Sequence, residues 1–442
     1  MNAALHPGAS RYGEDAISTP GLYIDWRPQG LAGRRLLPTG VPVFAGFVKP
    51  GAFPPGEAHA RQFDRWARFE TAYRQAQPSE LLACAVHGFF QNGGERCIVQ
   101  PVAAELKPVQ PDRELARMRA FQLAGLLTAP FSETGALRDL EYVDLVCVPD
   151  AMTPEILAVP EHVFDVQRQI VEYCARTRDR FAILDAMPAD GLRAGFALDG
   201  DTAPETSRDP LIDAITQWQT LPADHGALYF PWVLVKSAMG DGAGQRTVRV
   251  PPCGHIAGVY ARSDRRTGVH KAPANELLEG VLDVDVRVRA RDQDELNAAG
   301  VNCLREWPGR GLRVWGARTL SDRAELRYVN VTRLVLTLTR ELERNLRDLV
   351  FEPHNGALWA AIEDRVRVVL RRLFERGALK GADASQAYYV KCNAETNPFE
   401  QRDAGVLVAQ IGLAVHAPAE FVIVRITQSA SGVTVSGPTT QA

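Results

Sequence analysis

From position 331 onward, apolar residues return every three or four positions: Val331, Leu334, Val335, Leu338, Leu342, Leu346 and Leu349. This spacing predicts a helix with one buried face. Arg333, Arg340, Glu341, Arg344 and Arg347 fall on the rest of its surface, and Pro353 stops it, because proline lacks the N–H and clashes with the preceding turn. A second helix carries Ile362, Val366, Val369, Leu370, Leu373 and Phe374 on one side, with Gly377 where a left-handed C-cap is needed. Strand-like runs at 387–392, 406–415 and 421–427 offer these helices a partner surface. The expected unit is α+β, a small sheet covered by two helices.

The earlier chain alternates differently. Residues 41–48 read as a buried strand with Pro42 at its start. Phe63, Trp66, Phe69 and Tyr73 are spaced as one helix face, and 81–90 as an apolar helix ended by Asn92-Gly93-Gly94. Strands follow at 97–102, 144–148, 181–184 and 227–235, with a helix centred on 163–174. This β-α-β alternation predicts a parallel or mixed sheet with helices on its faces. Leu282, Val284, Val286 and Val288 alternate with Asp283, Asp285, Arg287 and Arg289, as in a strand with one charged, solvated face. Residues 19–26 form a short strand candidate, on their own terms an ordinary first strand.

At 442 residues the chain exceeds one ordinary core and should divide into two or more domains. Its 46% hydrophobic content is globular, and a net charge of −3 gives no reason for bulk nucleic-acid or polybasic membrane binding. No apolar run reaches a membrane span. The start has no basic n-region followed by an apolar h-region, so no secretory signal is expected. Seven widely spaced cysteines without a C-x-x-C read as isolated structural thiols in a reducing cytosol.

Chemistry is sparse. Gly240-Asp241-Gly242-Ala243-Gly244 fits no phosphate-loop pattern and reads as a surface loop. Cys253-Gly254-His255 offers two soft ligands, short of a zinc set, and reads as a turn after Pro251-Pro252. Asp150 or Asp185 followed by His255 keeps part of a hydrolase order, but no Gly-x-Ser opens a later helix. His87 and His270 have no acid at a defensible spacing, and Lys271 beside His270 is as easily mistaken for a site. Arg287, Arg289 and Arg291 are interleaved with Asp283, Asp285, Asp292, Asp294 and Glu295 and lack aromatic partners, which suits a solvated or salt-bridged face better than nucleic acid. No enzymatic activity, cofactor or metal is expected. An α/β hydrolase-like enzyme or a nucleotide-binding module is the alternative reading.

Several longer motifs carry a resemblance. They are Pro308-Gly309-Arg310-Gly311-Leu312-Arg313-Val314-Trp315-Gly316, Phe351-Glu352-Pro353-His354-Asn355-Gly356-Ala357-Leu358-Trp359, Asn393-Ala394-Glu395-Thr396-Asn397-Pro398, the run from Ala83 through His87-Gly88 to Cys97, and Gly268 to Glu276. In this order they resemble the contractile tail sheath proteins of phage tails, R-type pyocins and extracellular contractile injection systems. The resemblance spans 19–427. Cys253, where a serine-like small residue is expected, and 193–224, which matches nothing quotable, depart from it. It implies an α/β plus α+β fold: a central α/β domain, subtilisin-like in the family, and a C-terminal helix-covered sheet domain completed by terminal arms. The implied divisions are an N-terminal arm (1–30), an outer α/β part (31–300), an inner C-terminal part with its arm (301–428) and a flexible tail (429–442).

The resemblance also implies stacked hexameric rings of the same chain around an inner tube protein. Baseplate and terminal cap proteins, and possibly sister sheath subunits, would be further partners, with no nucleic acid and no membrane insertion. Assembly would be cytoplasmic, ahead of incorporation into a phage tail or tail-like particle. Firing would collapse a high-energy lattice without nucleotide. Leu22, Tyr23, Ile24, Val422 and Val424 are the implied intersubunit arm residues, since an unpaired strand edge is a template for another chain. Arg365, Arg367, Arg371 and Arg372 are the tube-facing candidates, with Glu375 on the same helix; packing of that helix within its own domain is the competing reading.

Overall fold

β1 (Pro42–Val48) is buried at every position, as a strand covered on both faces must be. In the computed structural model, which describes residues 37–51, 53, 59–107, 112–138, 140, 142–188, 209–221, 223–239, 246–349, 352–403, 407–418, 425–429 and 432–436, it lies inside a nine-stranded sheet. The other members are β2 (Arg61–Phe63), β3 (Cys97–Ala103), β4 (Leu145–Cys147), β5 (Phe181–Asp185), β6 (Gly226–Phe230), β9 (Glu276–Leu277), β11 (Asn302–Trp307) and β12 (Gly311–Trp315). Their order is β2-β3-β1-β4-β5-β6-β11-β12-β9. The run from β3 to β11 is parallel, and β2, β12 and β9 add antiparallel edges.

Alternate side chains of each strand enter two separate cores, as a pleat requires. Val43, Ala45, Phe47, Val146 and Leu184 meet α3 (Arg113–Thr128), α4 (Pro154–Leu157), α5 (Pro160–Thr177), α6 (Pro210–Gln219) and α8 (Ala290–Ala299). Phe44, Cys147, Ile183 and Tyr229 meet α1 (Trp66–Tyr73), α2 (Glu80–Gln91), α7 (Cys253–Arg266) and α9 (Val329–Leu346). A three-stranded sheet of β7 (Val233–Lys236), β8 (Thr247–Val250) and β10 (Val281–Val284) has the order β10-β7-β8. Beyond α9 come α10 (Gly356–Glu375), α11 (Ala384–Ala387), β13 (Tyr388–Lys391), α12 (Phe399–Asp403) and β14 (Gln410–Leu413), with β13 and β14 antiparallel. β15 (Arg425–Ser429), at the end of the expected C-terminal arm, pairs with β16 (Gly432–Ser436), which lies in the stretch expected to be a flexible tail.

The mixed α/β architecture agrees with expectation, and so do several ends. Gly377 has φ 71° and closes α10 with Ala378 N–H donating to the Leu373 carbonyl (3.0 Å) and Gly377 N–H to that of Phe374 (2.8 Å), a Schellman closure. Other expectations fail for identifiable reasons. Phe63 lies on β2 and not on the helix with Phe69 and Tyr73. The run 227–235 splits at Pro231, which has no N–H for a ladder, and β6 and β7 join different sheets. The 282–289 alternation survives only to Val284: the register shifts between Val281 and Asp283, which leaves Leu282 exposed. Cys253, Gly254 and His255 open a buried helix and do not form a turn. Arg333, Arg340 and Glu341 are buried, and the polar side of α9 packs inward. Leu22, Tyr23, Ile24, Val422, Val424 and the 240–244 glycine cluster lie outside the described residues.

Candidate functional site

A doubly wound sheet holds ligands beyond the carboxyl ends of its strands, where the order reverses. Here that point lies at the end of β1, between β3 and β4. It is filled by structure. Asp150 accepts the Phe47 N–H and the Ser79 hydroxyl (2.5 Å), and Ser79 Oγ accepts Leu82 N–H (3.0 Å) as the N-cap of α2. Burial pushes the Asp150 carboxyl up to about 7, although the Ser79 and Phe47 bonds pull it down. A Cβ on Gly46 would stand 2.8 Å from Asp150 Oδ2, so the strand backbone is drawn against the carboxylate.

The end of β5 is filled in the same manner. Asp185 Oδ1 accepts the Cys253 N–H (2.8 Å) at the first turn of α7, where the helix dipole favours an acid. Its carbonyl accepts Gln167 Nε2 (2.8 Å) and Gln217 Nε2 (3.0 Å). Burial raises Asp185 to about 7 and holds the Cys253 thiol well above its ordinary range. His255 is pushed down to about 4 by burial, with His87 adding to it. Its ring fills the notch at Gly88, where a Cβ would stand 2.5 Å away. Asp185 therefore engages a backbone amide and the thiol stays protonated in a sealed core. This geometry offers no nucleophile–base pair a substrate could reach. Among the described residues no group of three or more His, Cys, Asp or Glu is placed to hold a metal, and no helix is long and apolar enough to cross a membrane.

His270 and Lys271 serve packing too. The His270 carbonyl accepts Asn330 Nδ2 (2.8 Å), which also donates to the His416 carbonyl (2.9 Å), and Lys271 and Arg266 share Glu276 Oε1 at 2.6 Å each. Arg287 pairs with Asp283 (3.3 Å) and Arg291 with Glu295 (3.8 Å), the charge-interleaved face expected.

The cluster that sequence reasoning missed sits where α9 meets the sheet. Arg333, 2% exposed, donates to Asp264 Oδ1 (2.9 Å) and Oδ2 (2.5 Å) and to Asp144 Oδ2 (3.0 Å). Its guanidinium lies 4.7 Å from the centre of the Tyr260 ring, and Tyr260 shares a 2.6 Å hydroxyl contact with Tyr229. Asp144 also accepts the Gly40 (2.9 Å) and Val41 (2.6 Å) amides, and Glu341 accepts that of Leu37. The polar side of α9 thus clamps the chain entering β1 and the turn before β4. The available signal was its composition: Asn330, Thr332, Thr337 and Asn345 with arginines and no lysine, the residues suited to buried polar pairing.

The family description "phage tail sheath protein central domain" matches residues 136–320, and "phage tail sheath C-terminal domain" matches 321–429. The chain belongs to the phage tail sheath family. The clamp therefore joins the two regions of a sheath protein, because Asp144 and Asp264 fall in the first match and Arg333 in the second. Among solved structures, the helical sheath of the anti-feeding prophage (AFP) in its contracted state is 27% identical, with a TM-score of 0.64 over 93% of this chain and 99% of that one. The sheath complex of the extracellular contractile injection system PVC, also contracted, is 25% identical, with a TM-score of 0.67 over 94% and 98%. A chain of the AFP baseplate structure is 26% identical, with a TM-score of 0.64 over 93% and 99%. No curated protein is matched by sequence.

On the C-terminal part of this sheath protein the four arginine candidates separate. Arg365 is half-buried, donating to the Asn345 carbonyl (2.9 Å) and pairing with Asp348. Arg367 is exposed and pairs with Glu363 (2.8 Å), Arg371 is exposed, and Arg372 is half-buried. Arg367, Val368, Arg371 and Glu375 form the outward face of α10.

Proposed function

We propose that this protein is the repeating subunit of a contractile sheath that surrounds an inner tube and drives it through a target envelope. The observation that carries the reading is likeness over nearly the whole chain to subunits of contracted AFP and PVC sheath assemblies. The filled strand ends support a mechanical role without catalysis. Copies of the chain stack as hexameric rings on a baseplate, the tube runs inside, and a cap closes the far end. Assembly is cytoplasmic. The 1–30 segment, with Leu22, Tyr23 and Ile24, and a C-terminal arm with Val422 and Val424 pair with adjacent subunits, and the exposed arginines of α10 face the tube. Residues 31–300 form the outer part and 301–428 the inner part.

Expression with its genomic neighbours, followed by negative-stain microscopy, tests the reading. Rods or collapsed sleeves are expected; discrete particles would favour an α/β enzyme or nucleotide-binding module. Deleting residues 1–27 should leave a folded subunit that does not assemble, and sheaths of normal length from that deletion would remove the arm assignment.

A further inference from the structure

Residues 37–41 lead into β1, and none of them belongs to a helix or strand. Ionisable side chains from three places grip this stretch. Glu341 on α9 accepts the Leu37 N–H, and Arg340 donates to the carbonyls of Pro38 (3.2 Å) and Val143 (3.4 Å). The Thr39 side chain is hydrogen-bonded to Asp264 on α7, and Asp144, in the turn before β4, accepts the Gly40 and Val41 amides. Arg333 ties Asp264 to Asp144, and Arg344 pairs with Glu341 (2.8 Å). Gly40 takes φ 73°, and a Cβ there would stand 2.5 Å from the Ala261 Cα, so the stretch also lies tightly against α7.

Arg340, Glu341, Asp144 and Asp264 are all buried. Burying charges brings little net stability, because desolvation offsets the attraction. Such groups do supply strong, directional hydrogen bonds, and a bond with an ionised partner is about twice as strong as a neutral one. Here those bonds run to backbone and join it to separate elements. Drawing the chain away at residue 37 therefore has to break bonds to α9, α7 and the turn before β4 ahead of any ladder bond of β1.

We infer that residues 37–41 are an anchor, through which a pull on the segment before residue 37 passes into α9 and α7 and spares β1. The anchor deepens the sheath reading and rests on it for the source of the pull, an adjacent subunit holding that segment. Because α9 lies in the C-terminal family match and β1 is the third strand of the nine-stranded sheet, tension would reach the C-terminal part while the sheet keeps its register.

Hydrogen exchange on the isolated full chain tests the hold. In an Arg340→Met, Glu341→Ala chain the amides of Leu37, Gly40 and Val41 should exchange at least about tenfold faster, while those of Phe44 to Phe47 in β1 stay protected. Glu341→Gln keeps an oxygen for the Leu37 N–H and should exchange as wild type does. Single-molecule pulling tests the load path. All seven native cysteines are buried, so Ala360→Cys on the exposed side of α10 gives one addressable thiol to pull against the N-terminus. The double variant should add an early, low-force extension of about 17 Å, residues 37–41 drawn straight, that the Ala360→Cys chain alone lacks. If the double variant does not fold, Thr39→Val, which removes only the hydroxyl bonded to Asp264, takes both measurements with the same expected direction. Unchanged exchange at 37–41, or matching force curves, would overturn the inference. Both measurements use the isolated chain, so they decide the anchor separately from the microscopy that decides the sheath reading.

Discussion

Arg333 carries one positive charge against the two carboxylates of Asp264 and Asp144, all three out of water. Burial by itself pulls the guanidinium pKa down, but Asp264 and then Asp144 more than offset it and leave it raised. Burial is also the first cause of the raised Asp264 value, with Arg333 opposing it. Such a cluster is a poor source of net stability yet costly to break, because removing one partner strands the others. Arg333→Met should therefore cost about 3–5 kcal/mol in urea unfolding at pH 7. The loss should shrink at pH 5, where the stranded Asp264 carboxyl, already raised by burial, can take up a proton. An equal loss at both values would show that packing, and not stranded charge, dominates.

The buried carboxyls at the strand ends supply a second residue-scale test. Asp185 is raised from 3.8 to about 7, so the folded state holds its proton more tightly than the unfolded chain. Its contribution is fully present below about pH 4 and is lost as pH rises through about 7. Asp185→Asn keeps an oxygen to accept the Cys253 N–H but removes the titration. The variant should show a flatter stability profile between pH 4 and 7 than wild type, and parallel profiles would count against a neutral Asp185.

At the scale of elements, α2 and α7 approach closely enough that glycine is required where they touch. A Cβ at Gly254 would stand 2.2 Å from the Ala85 carbonyl oxygen, and one at Gly258 would stand 2.5 Å from that of Phe89. Backbone cannot yield as a flexible side chain can, so Gly254→Ala should cost about 1–3 kcal/mol or more. Gly125, in the last turn of α3, has nothing within 4 Å of the same position. Gly125→Ala should stabilise the isolated subunit by up to about 1 kcal/mol through helix propensity. Thermal melts of the two variants should move in opposite directions.

These glycines also mark the limit of sequence reading. Gly254 and Gly258 look like bend formers beside two prolines, and only the partner helix reveals close approach. β1, α2, α5 and α10 were legible because one hydrophobic period and clear end signals agreed along each. α9 was legible as a helix but not as a clamp, since a stripe of arginine and threonine reads as solvated until the surface across from it is known. Leu282 and Pro231 failed through events between strands, a register shift and a change of sheet, that local alternation does not encode. Of the candidate site, the interleaved charges near Arg287 were legible, whereas the sealing of Asp150 and Asp185 required the fold.

For the whole molecule, the proposed tube contact depends on which charges could be offered without loosening the subunit. Arg365 is a poor choice for reversal, because it holds the Asn345 carbonyl and Asp348 beside the end of α9. Arg371 points outward from α10 with Arg372 at its flank. Even a surface ion pair contributes only about 0–1 kcal/mol to stability, so Arg371→Glu with Arg372→Glu should leave the fold intact and shift the melting temperature only modestly. A contact that must hold before firing and release during it suits screened polar pairs, and its strength should fall as salt shortens the Debye length. The double reversal should therefore weaken tube-templated assembly most at low ionic strength, with the difference from wild type narrowing in high salt. Length distributions of sheaths assembled with tube protein across a salt series measure this. Identical lengths at every salt concentration would remove this face of α10 from the tube contact.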